Sequence, residues 1–174
     1  MMHKSWIAIV VAVVAAVAGS PPRAQAAHLV NGPNFPTGGI GCAMPNGLAP
    51  FSAGTEVFLD TSCQFYPNVD WAIGGGARII ASGLAANGQF ACLDEASTTA
   101  GALAVVNPCA PRGSASQSWQ IKRAPAPSPS MTLIVNMQSK LCLDTKQAGP
   151  NVIQLIVNTC STAIGAGTGN WQIK

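Results

Sequence analysis

Hydrophobic positions along the chain follow two different patterns. The first is an uninterrupted apolar run over residues 6–18, which has no polar face and therefore does not fit an amphipathic helix. Beyond it, short apolar or β-branched segments alternate with clusters of Gly, Asn, Ser and Pro, as is typical of strands and turns. The clearest segments expected to form strands are residues 78–82, 90–94, 103–107, 118–122, 131–136, 141–145, 152–157 and 170–174. No segment after the first run has a convincing helical period, so we expect an all-β domain.

The apolar run has the layout of a secretory signal peptide. A weakly basic start precedes it, and Pro21 and Pro22 follow its end. Ala24-Gln25-Ala26 then places small residues at the two positions that a signal peptidase recognises. The run is too short for a permanent span, and no second apolar stretch of that length follows. We therefore expect residues 1–26 to be a cleaved signal peptide and residues 27–174 to be one secreted or periplasmic domain without a membrane span.

Charge is sparse in the expected mature chain. The chain after residue 26 has seven basic and six acidic residues, which gives a net charge of about +1. The basic residues are scattered, whereas binding to nucleic acid phosphates needs a concentrated positive surface. The sequence therefore argues against a nucleic-acid partner.

A Cys…Cys…Trp pattern occurs three times. The three copies are Cys42, Cys63 and Trp71; Cys92, Cys109 and Trp119; and Cys142, Cys160 and Trp171. Such a repeat indicates one supersecondary unit copied three times, over about 27–76, 77–124 and 125–174, with a shared core. About four strands per unit gives about twelve strands, and a closed threefold barrel capped by hairpins would leave no open edges. We expect the three tryptophans to lie in the core where the units meet.

The motifs around these cysteines resemble the ricin-type lectin repeat. The second unit carries Cys92-Leu93-Asp94 and Gln117-Ser118-Trp119-Gln120-Ile121, and the third carries Cys142-Leu143-Asp144. The first unit keeps both cysteines and Trp71 but has no Cys-Leu-Asp. The resemblance covers nearly all of the mature chain and implies a β-trefoil fold.

The resemblance also implies that the two cysteines of each unit pair with each other. The implied disulfides are Cys42–Cys63, Cys92–Cys109 and Cys142–Cys160. Each would close a loop of about twenty residues and contribute roughly 3 kcal/mol in the chain-entropy model. A metal site needs closely spaced Cys and His ligands, but these spacings are wide and His28 is the only histidine after residue 26. We therefore expect structural disulfides, no metal and no cofactor.

In sugar-binding members of the resembled family, the Asp of Cys-Leu-Asp holds the sugar hydroxyls and an aromatic residue stacks on the ring. Asp94 and Asp144 match the Asp, and Gln117 matches the Gln that holds it in place. Asn107 and Asn158 occupy the aromatic position two places before the second Cys, and they could offer amide hydrogen bonds instead. These five residues form the candidate carbohydrate site, which is most complete in the second unit.

Two alternatives concern the same site. Asp94 and Asp144 could be turn aspartates that only accept backbone N–H groups. Thr61 fills the aromatic position of the first unit, so a stacking ring would have to come from elsewhere, namely Phe58, Tyr66 or Phe90.

Catalysis finds little support in the sequence. A Ser/His/Asp or Cys/His arrangement needs a histidine, and only His28 is available after residue 26. Asp94 and Glu95 are adjacent on a predicted strand, so their side chains should point to opposite faces rather than form a glycosidase pair. We expect no catalytic residues.

The sequence therefore favours a secreted carbohydrate-binding module with a glycan partner and no catalytic activity of its own. A protein-binding β-trefoil is the alternative, acting as the targeting subunit of a toxin-like assembly or as an inhibitor. A third possibility is a structural envelope or secreted protein with no small ligand.

Overall fold

The computed structural model describes residues 26–31, 41–60, 63, 70–74, 77–125 and 132–174. Within these ranges the chain forms twelve strands, a seven-residue helix α1 (Cys160–Ala166) and a short 3-10 helix (Ala115–Gln117). The strands are β1 Ala26–Asn31, β2 Gly41–Pro45, β3 Thr55–Asp60, β4 Asp70–Gly74, β5 Arg78–Leu84, β6 Phe90–Glu95, β7 Ala104–Pro108, β8 Trp119–Arg123, β9 Thr132–Asn136, β10 Cys142–Gly149, β11 Val152–Asn158 and β12 Trp171–Ile173. Apart from Ala26, the predicted signal peptide lies outside the described residues.

All eight segments expected to be strands contain one. Most boundaries shift by one or two residues, and the largest difference is at β10, which continues to Gly149 instead of ending at residue 145. The all-β prediction is therefore confirmed for the described part of the chain.

Six strands form a closed barrel. β4 pairs with β5, β8 with β9 and β12 with β1, and these antiparallel pairs join one repeat to the next. Within repeats, β1 pairs with β4 and β9 with β12. The backbone N–H of Trp119 donates to the Ala77 carbonyl over 2.8 Å and so joins β8 to the residue before β5.

Three hairpins, β2–β3, β6–β7 and β10–β11, cap the barrel. Their second strands also contact one another. β3 pairs with β7, β11 pairs with β3, and a bridge between Leu103 and Ile156 joins the start of β7 to β11. Each repeat thus needs both neighbours to complete its own pairing, as the internal repeat predicted.

The three tryptophans lie at the centre of the core. Trp71, Trp119 and Trp171 are fully buried, and each indole N–H donates to the carbonyl of the residue that follows the first cysteine of its own repeat. The acceptors are Ala43 at 2.8 Å, Leu93 at 3.0 Å and Leu143 at 2.9 Å. Because a buried N–H needs an acceptor, this bond fixes each indole in the same orientation.

The cysteines form three disulfides, each within one repeat. The pairs are Cys42–Cys63, Cys92–Cys109 and Cys142–Cys160. They join partners 21, 17 and 18 residues apart in the sequence, respectively. These are the pairs that the resemblance to the ricin-type repeat implied.

Helix α1 corrects the expectation that no helix forms. Thr159 caps it, because its hydroxyl accepts the N–H of Thr162 over 3.2 Å, and Gly167 ends it with a left-handed φ of 73°. Buried Ala163 belongs to a small apolar cluster that also contains Leu133 and Val135 of β9. Seven residues are too few for a periodic pattern, so the helix depends on its ends and on this contact rather than on amphipathicity. No helix in the described ranges is long and apolar enough to cross a membrane.

Candidate functional site

Three of the predicted site residues meet in the second repeat. Asp94 on β6 accepts hydrogen bonds at Oδ2 from Asn107 Nδ2 at 2.9 Å and from Gln117 Nε2 at 3.1 Å. Its Oδ1 accepts the backbone N–H of Glu95 at 2.9 Å. Only 7% of Asp94 is exposed, so these bonds compensate most of the loss of water around the carboxylate. We call Asp94, Asn107 and Gln117 the Asp94 cluster.

Gln117 connects this cluster to the loop after β7. It lies on the 3-10 helix, and its Oε1 accepts the N–H of Ala110 at 2.8 Å. Its Nε2 donates to the Pro108 carbonyl at 3.1 Å as well as to Asp94. Both ends of the amide are therefore used, and Gln117 donates a hydrogen bond to the Asp94 carboxylate.

Asn107 connects the cluster to the first repeat. Its Oδ1 accepts the backbone N–H of Gly54 at 2.7 Å, while its Nδ2 donates to Asp94. Gly54 has a φ of +80°, which suits glycine and turns its N–H toward β7. Asn107 is half-buried, so it lies between the buried carboxylate and solvent.

The third repeat contains a smaller version of this arrangement. Asp144 accepts Asn158 Nδ2 at Oδ2 over 3.1 Å and the N–H of Thr145 at Oδ1 over 2.8 Å. Asn158 Oδ1 accepts the N–H of its own neighbour, Thr159, rather than that of another repeat. Asp144 is 2% exposed, and among the described residues it has one side-chain partner where Asp94 has two.

Helix α1 explains why the third repeat has no glutamine partner. The residue two places before Trp171 is Gly169, and a Cβ there would lie 2.5 Å from the Cβ of Ala163. The helix thus packs against the position that Gln117 occupies in the second repeat. The two Asp sites therefore differ because of the helix that follows the last cysteine.

The first repeat has no counterpart of these carboxylates. Met44 occupies the position of Asp94 and Asp144, two residues after the first cysteine. Thr61 and Tyr66 lie outside the described residues. Phe58 lies on β3 and is half-buried, whereas Phe90 begins β6 and is mostly exposed.

Two buried asparagines were not predicted. Asn31 Nδ2 donates to the Thr168 carbonyl at 2.7 Å, and Asn136 Nδ2 donates to the Ser116 carbonyl at 2.6 Å. Both acceptors lie three residues before the tryptophan of a repeat, so each asparagine holds the loop that leads to it. A signal was present, because Val-Asn ends a strand at both positions.

Glu95, next to Asp94, lies in a separate buried environment. Its Oε2 accepts the hydroxyl of Ser139 at 2.5 Å, whereas its Oε1 has no partner among the described residues. Burial raises the pKa of Glu95 above its ordinary value, and the nearby Asp94 carboxylate adds to the shift, although the Ser139 hydrogen bond opposes it. The two carboxylates therefore have different partners, as expected for adjacent strand positions.

His28 and Asp70 form a further contact between ionisable side chains. His28 Nε2 lies 2.7 Å from Asp70 Oδ1, and the two residues face each other across β1 and β4. No group of three His, Cys, Asp or Glu side chains in the described ranges could hold a metal ion.

A shallow concave surface of about 730 Å³ lies apart from the Asp94 carboxylate. Its lining is mostly apolar and includes Ile73, Ile79, Trp119, Ile121 and Met137. None of the five residues of the predicted carbohydrate site is among its lining residues.

Comparison with solved structures identifies the architecture. A designed threefold-symmetric protein, ThreeFoil, matches with a TM-score of 0.61 and 18% identity over 84% of this chain and 96% of its own. The fold is a β-trefoil. A lectin from Polyporus squamosus, solved bound to a human-type influenza-binding epitope, matches with a TM-score of 0.58 and 11% identity over 87% of this chain. The match covers 49% of that lectin.

A toxin chain shares the same β-trefoil. A chain of the cytolethal distending toxin from Actinobacillus actinomycetemcomitans matches with a TM-score of 0.60 and 15% identity, over 88% of this chain and 93% of its own. No protein-family model matches the sequence, and the search of curated proteins finds no match. At these identities the structural likeness concerns the fold alone.

Proposed function

We propose that this β-trefoil is a glycan-binding module without catalytic activity, and that the Asp94 cluster is its main contact with the sugar. The observation that carries the proposal is the fixed geometry of Asn107, whose amide is held between Asp94 and Gly54 at the edge of solvent. An oriented amide beside a carboxylate can both donate to and accept from neighbouring sugar hydroxyls. The Asp144–Asn158 pair would be a second, weaker contact.

A glycan array tests this proposal directly. The wild-type chain is screened together with Asn107→Ala and Asn158→Ala, and denaturant unfolding shows that each variant is folded. We expect saturable binding to at least one glycan, about tenfold weaker in Asn107→Ala and less affected in Asn158→Ala. Gln147→Ala is the matched control, because it removes an exposed amide from β10. A folded wild-type chain that binds no glycan on the array would refute the proposal.

The same proposal includes export from the cell and removal of residues 1–26. Three disulfides support it, because such bonds persist in oxidising compartments. Mass spectrometry of protein recovered from the periplasm or medium should find a chain that begins at Ala27. Recovery of the uncleaved chain inside the cell would contradict this part of the proposal.

A second candidate function is a protein-binding subunit of a toxin-like assembly. The toxin chain described above shares nearly its whole length with this fold, which favours considering it. The two functions differ in what displaces the partner. A pull-down in which free sugars do not release the captured protein would favour this second function over glycan binding.

A further inference from the structure

Phe90 is a large aromatic side chain that the core does not use. It begins β6 and is 64% exposed, and its cross-strand partner on β5, Leu84, is 46% exposed. Most other large hydrophobic residues of the described chain are buried or half-buried. The pair lies outside the core, and neighbouring exposed apolar side chains are a feature of ligand-binding surfaces.

The hairpin that carries this pair is held in place by the first repeat. Buried Phe51 donates its N–H to the Leu84 carbonyl at 2.9 Å and accepts the N–H of Ala86 at 2.7 Å. Within the turn, Ala85 donates to the Gln89 carbonyl at 2.8 Å. The backbone of Phe90 itself is also held, because the N–H of Cys109, the residue after β7, donates to the Phe90 carbonyl at 2.8 Å. Phe90 therefore extends from an anchored hairpin, which lowers the ordering cost of binding.

Two exposed amides beside Phe90 are already oriented. Asn87 Nδ2 donates to Gln89 Oε1 at 2.8 Å, and Asn87 Oδ1 accepts the Gln89 N–H at 3.1 Å. Gln89 Nε2 makes no hydrogen bond to any described residue. A flat ring and oriented amides together are what sugar recognition requires: the ring covers the C–H face of the sugar, and the amides bind its hydroxyls.

Phe90 also shares a strand face with the Asp94 cluster. Phe90, Cys92 and Asp94 alternate along β6 and so lie on one face. At about 3.4 Å per residue, the Cα atoms of Phe90 and Asp94 are roughly 14 Å apart. A single monosaccharide cannot reach both positions, whereas an oligosaccharide can.

The two chain segments next to Phe90 contain no charged residue. No Asp, Glu, Lys or Arg occurs in residues 79–93, the part of the β5–β6 hairpin between Arg78 and Asp94, or in residues 45–55, which include the anchoring Phe51. A sialylated or sulfated sugar would find no cation there. The patch therefore suits a neutral glycan.

We propose that Phe90, with Leu84 and the Asn87–Gln89 amide pair, stacks on and binds one residue of a neutral oligosaccharide whose other end contacts the Asp94 cluster. This inference rests on the proposed glycan-binding function and specifies its ligand as a neutral chain of at least two sugars. It assigns the stacking role to a ring on the hairpin before the first cysteine of the second repeat.

The test compares Phe90→Ala, Phe90→Trp and the wild-type chain against the best neutral glycan found on the array and the terminal monosaccharide derived from it. We expect Phe90→Ala to weaken oligosaccharide binding about three- to tenfold, which corresponds to the loss of one aromatic stack, and Phe90→Trp to retain it. Monosaccharide binding should be the same in all three proteins. Val152→Ala, which shortens an exposed apolar side chain on β11, is the matched control.

The outcomes separate the two proposals. Glycan binding that weakens in Asn107→Ala but is unchanged in Phe90→Ala would overturn the inference and leave the proposed function intact. Equal losses for monosaccharide and oligosaccharide in Phe90→Ala would also overturn it, as would an exclusive preference for acidic glycans. A folded chain that binds no glycan at all would overturn both. Retention of a protein partner that depends on Phe90, without any glycan effect, would assign the patch to protein binding instead.

Discussion

Gln117 Nε2 lies 3.1 Å from Asp94 Oδ2, although 23 residues separate the two in the sequence. Gln117 is 4% exposed, and its amide also holds Ala110 and Pro108. We expect Gln117→Ala to lower the free energy of unfolding by about 1–3 kcal/mol, because it leaves buried groups without partners. Urea denaturation measures this. Gln120→Ala, which removes an exposed amide three residues later, should change stability by less than about 0.5 kcal/mol.

The two Asp–Asn pairs should respond differently to loss of the asparagine. Asn158→Ala leaves the buried Asp144 Oδ2 without its side-chain donor, whereas Asp94 keeps Gln117 after Asn107→Ala. We therefore expect Asn158→Ala to destabilise the fold more, by about 1–3 kcal/mol, and Asn107→Ala by about 1 kcal/mol. The same denaturation series compares them. A larger loss of stability in Asn107→Ala than in Asn158→Ala would mean that losing the Asn107 bond to Gly54 costs more than the remaining bond from Gln117 to Asp94 compensates.

The indole bonds predict equivalent effects in all three repeats. Trp119→Phe removes the donor to the Leu93 carbonyl and leaves a small void in a closely packed core. We expect it to cost about 2–4 kcal/mol. Trp71→Phe and Trp171→Phe should cost similar amounts, since their bonds and burial match. Thermal unfolding measures the three losses of stability. A much smaller loss in one variant than in the others would show that the repeats are not energetically equivalent.

Gly169 and Gly165 form a matched pair of glycines. A Cβ at Gly169 would lie 2.5 Å from the Ala163 Cβ, so Gly169→Ala should displace helix α1 and cost about 1–3 kcal/mol. A Cβ at Gly165, inside the helix, would have no atom within 4 Å, so Gly165→Ala should stabilise the protein by up to about 1 kcal/mol. Differential scanning calorimetry distinguishes the two signs. A neutral Gly169→Ala would show that the helix can shift without cost.

Burial of Glu95 predicts a contribution to stability that is present at acidic pH and lost towards neutral pH. Because burial raises the pKa of Glu95 above its ordinary value of 4.5, the unfolded chain releases this proton first as pH rises. Stability from the protonated form is then present below about pH 4.5 and is lost as pH rises through the folded-state pKa. As pH rises from 4 to 8, the free energy of unfolding of the wild-type chain should therefore fall relative to that of Glu95→Gln. Unfolding curves from pH 4 to pH 8 on both proteins would reveal the effect, and parallel curves would contradict it.

The repeat allowed most of the framework to be predicted. Two cysteines and a tryptophan per unit indicated the shared core, and apolar or β-branched segments between turn-forming residues located the strands. Helix α1 was missed because its seven residues are determined by a cap at Thr159, a glycine at Gly167 and the packing of Ala163, none of which produces a periodic pattern.

The partners of the site residues were harder to predict than the residues themselves. Asp94, Asn107 and Gln117 were identified by position, but the bond from Gly54 to Asn107 joins two repeats and depends on how the hairpins meet. Asn31 and Asn136 end apolar strands, where a polar residue usually indicates the end of burial rather than a buried hydrogen bond. Such long-range partners come from the closed barrel, which sequence patterns describe only in outline.

The antiparallel seam between β1 and β12 has a mechanical consequence. His28 on β1 and Lys174, the residue after β12, exchange backbone hydrogen bonds. The two strands are antiparallel, so residues 26 and 174 lie near the same end of the seam. A force that pulls residues 26 and 174 apart would load these bonds one after another, as in opening a zipper, instead of shearing several at once. We expect the barrel to open at this seam under low tension, while the disulfides keep each hairpin intact.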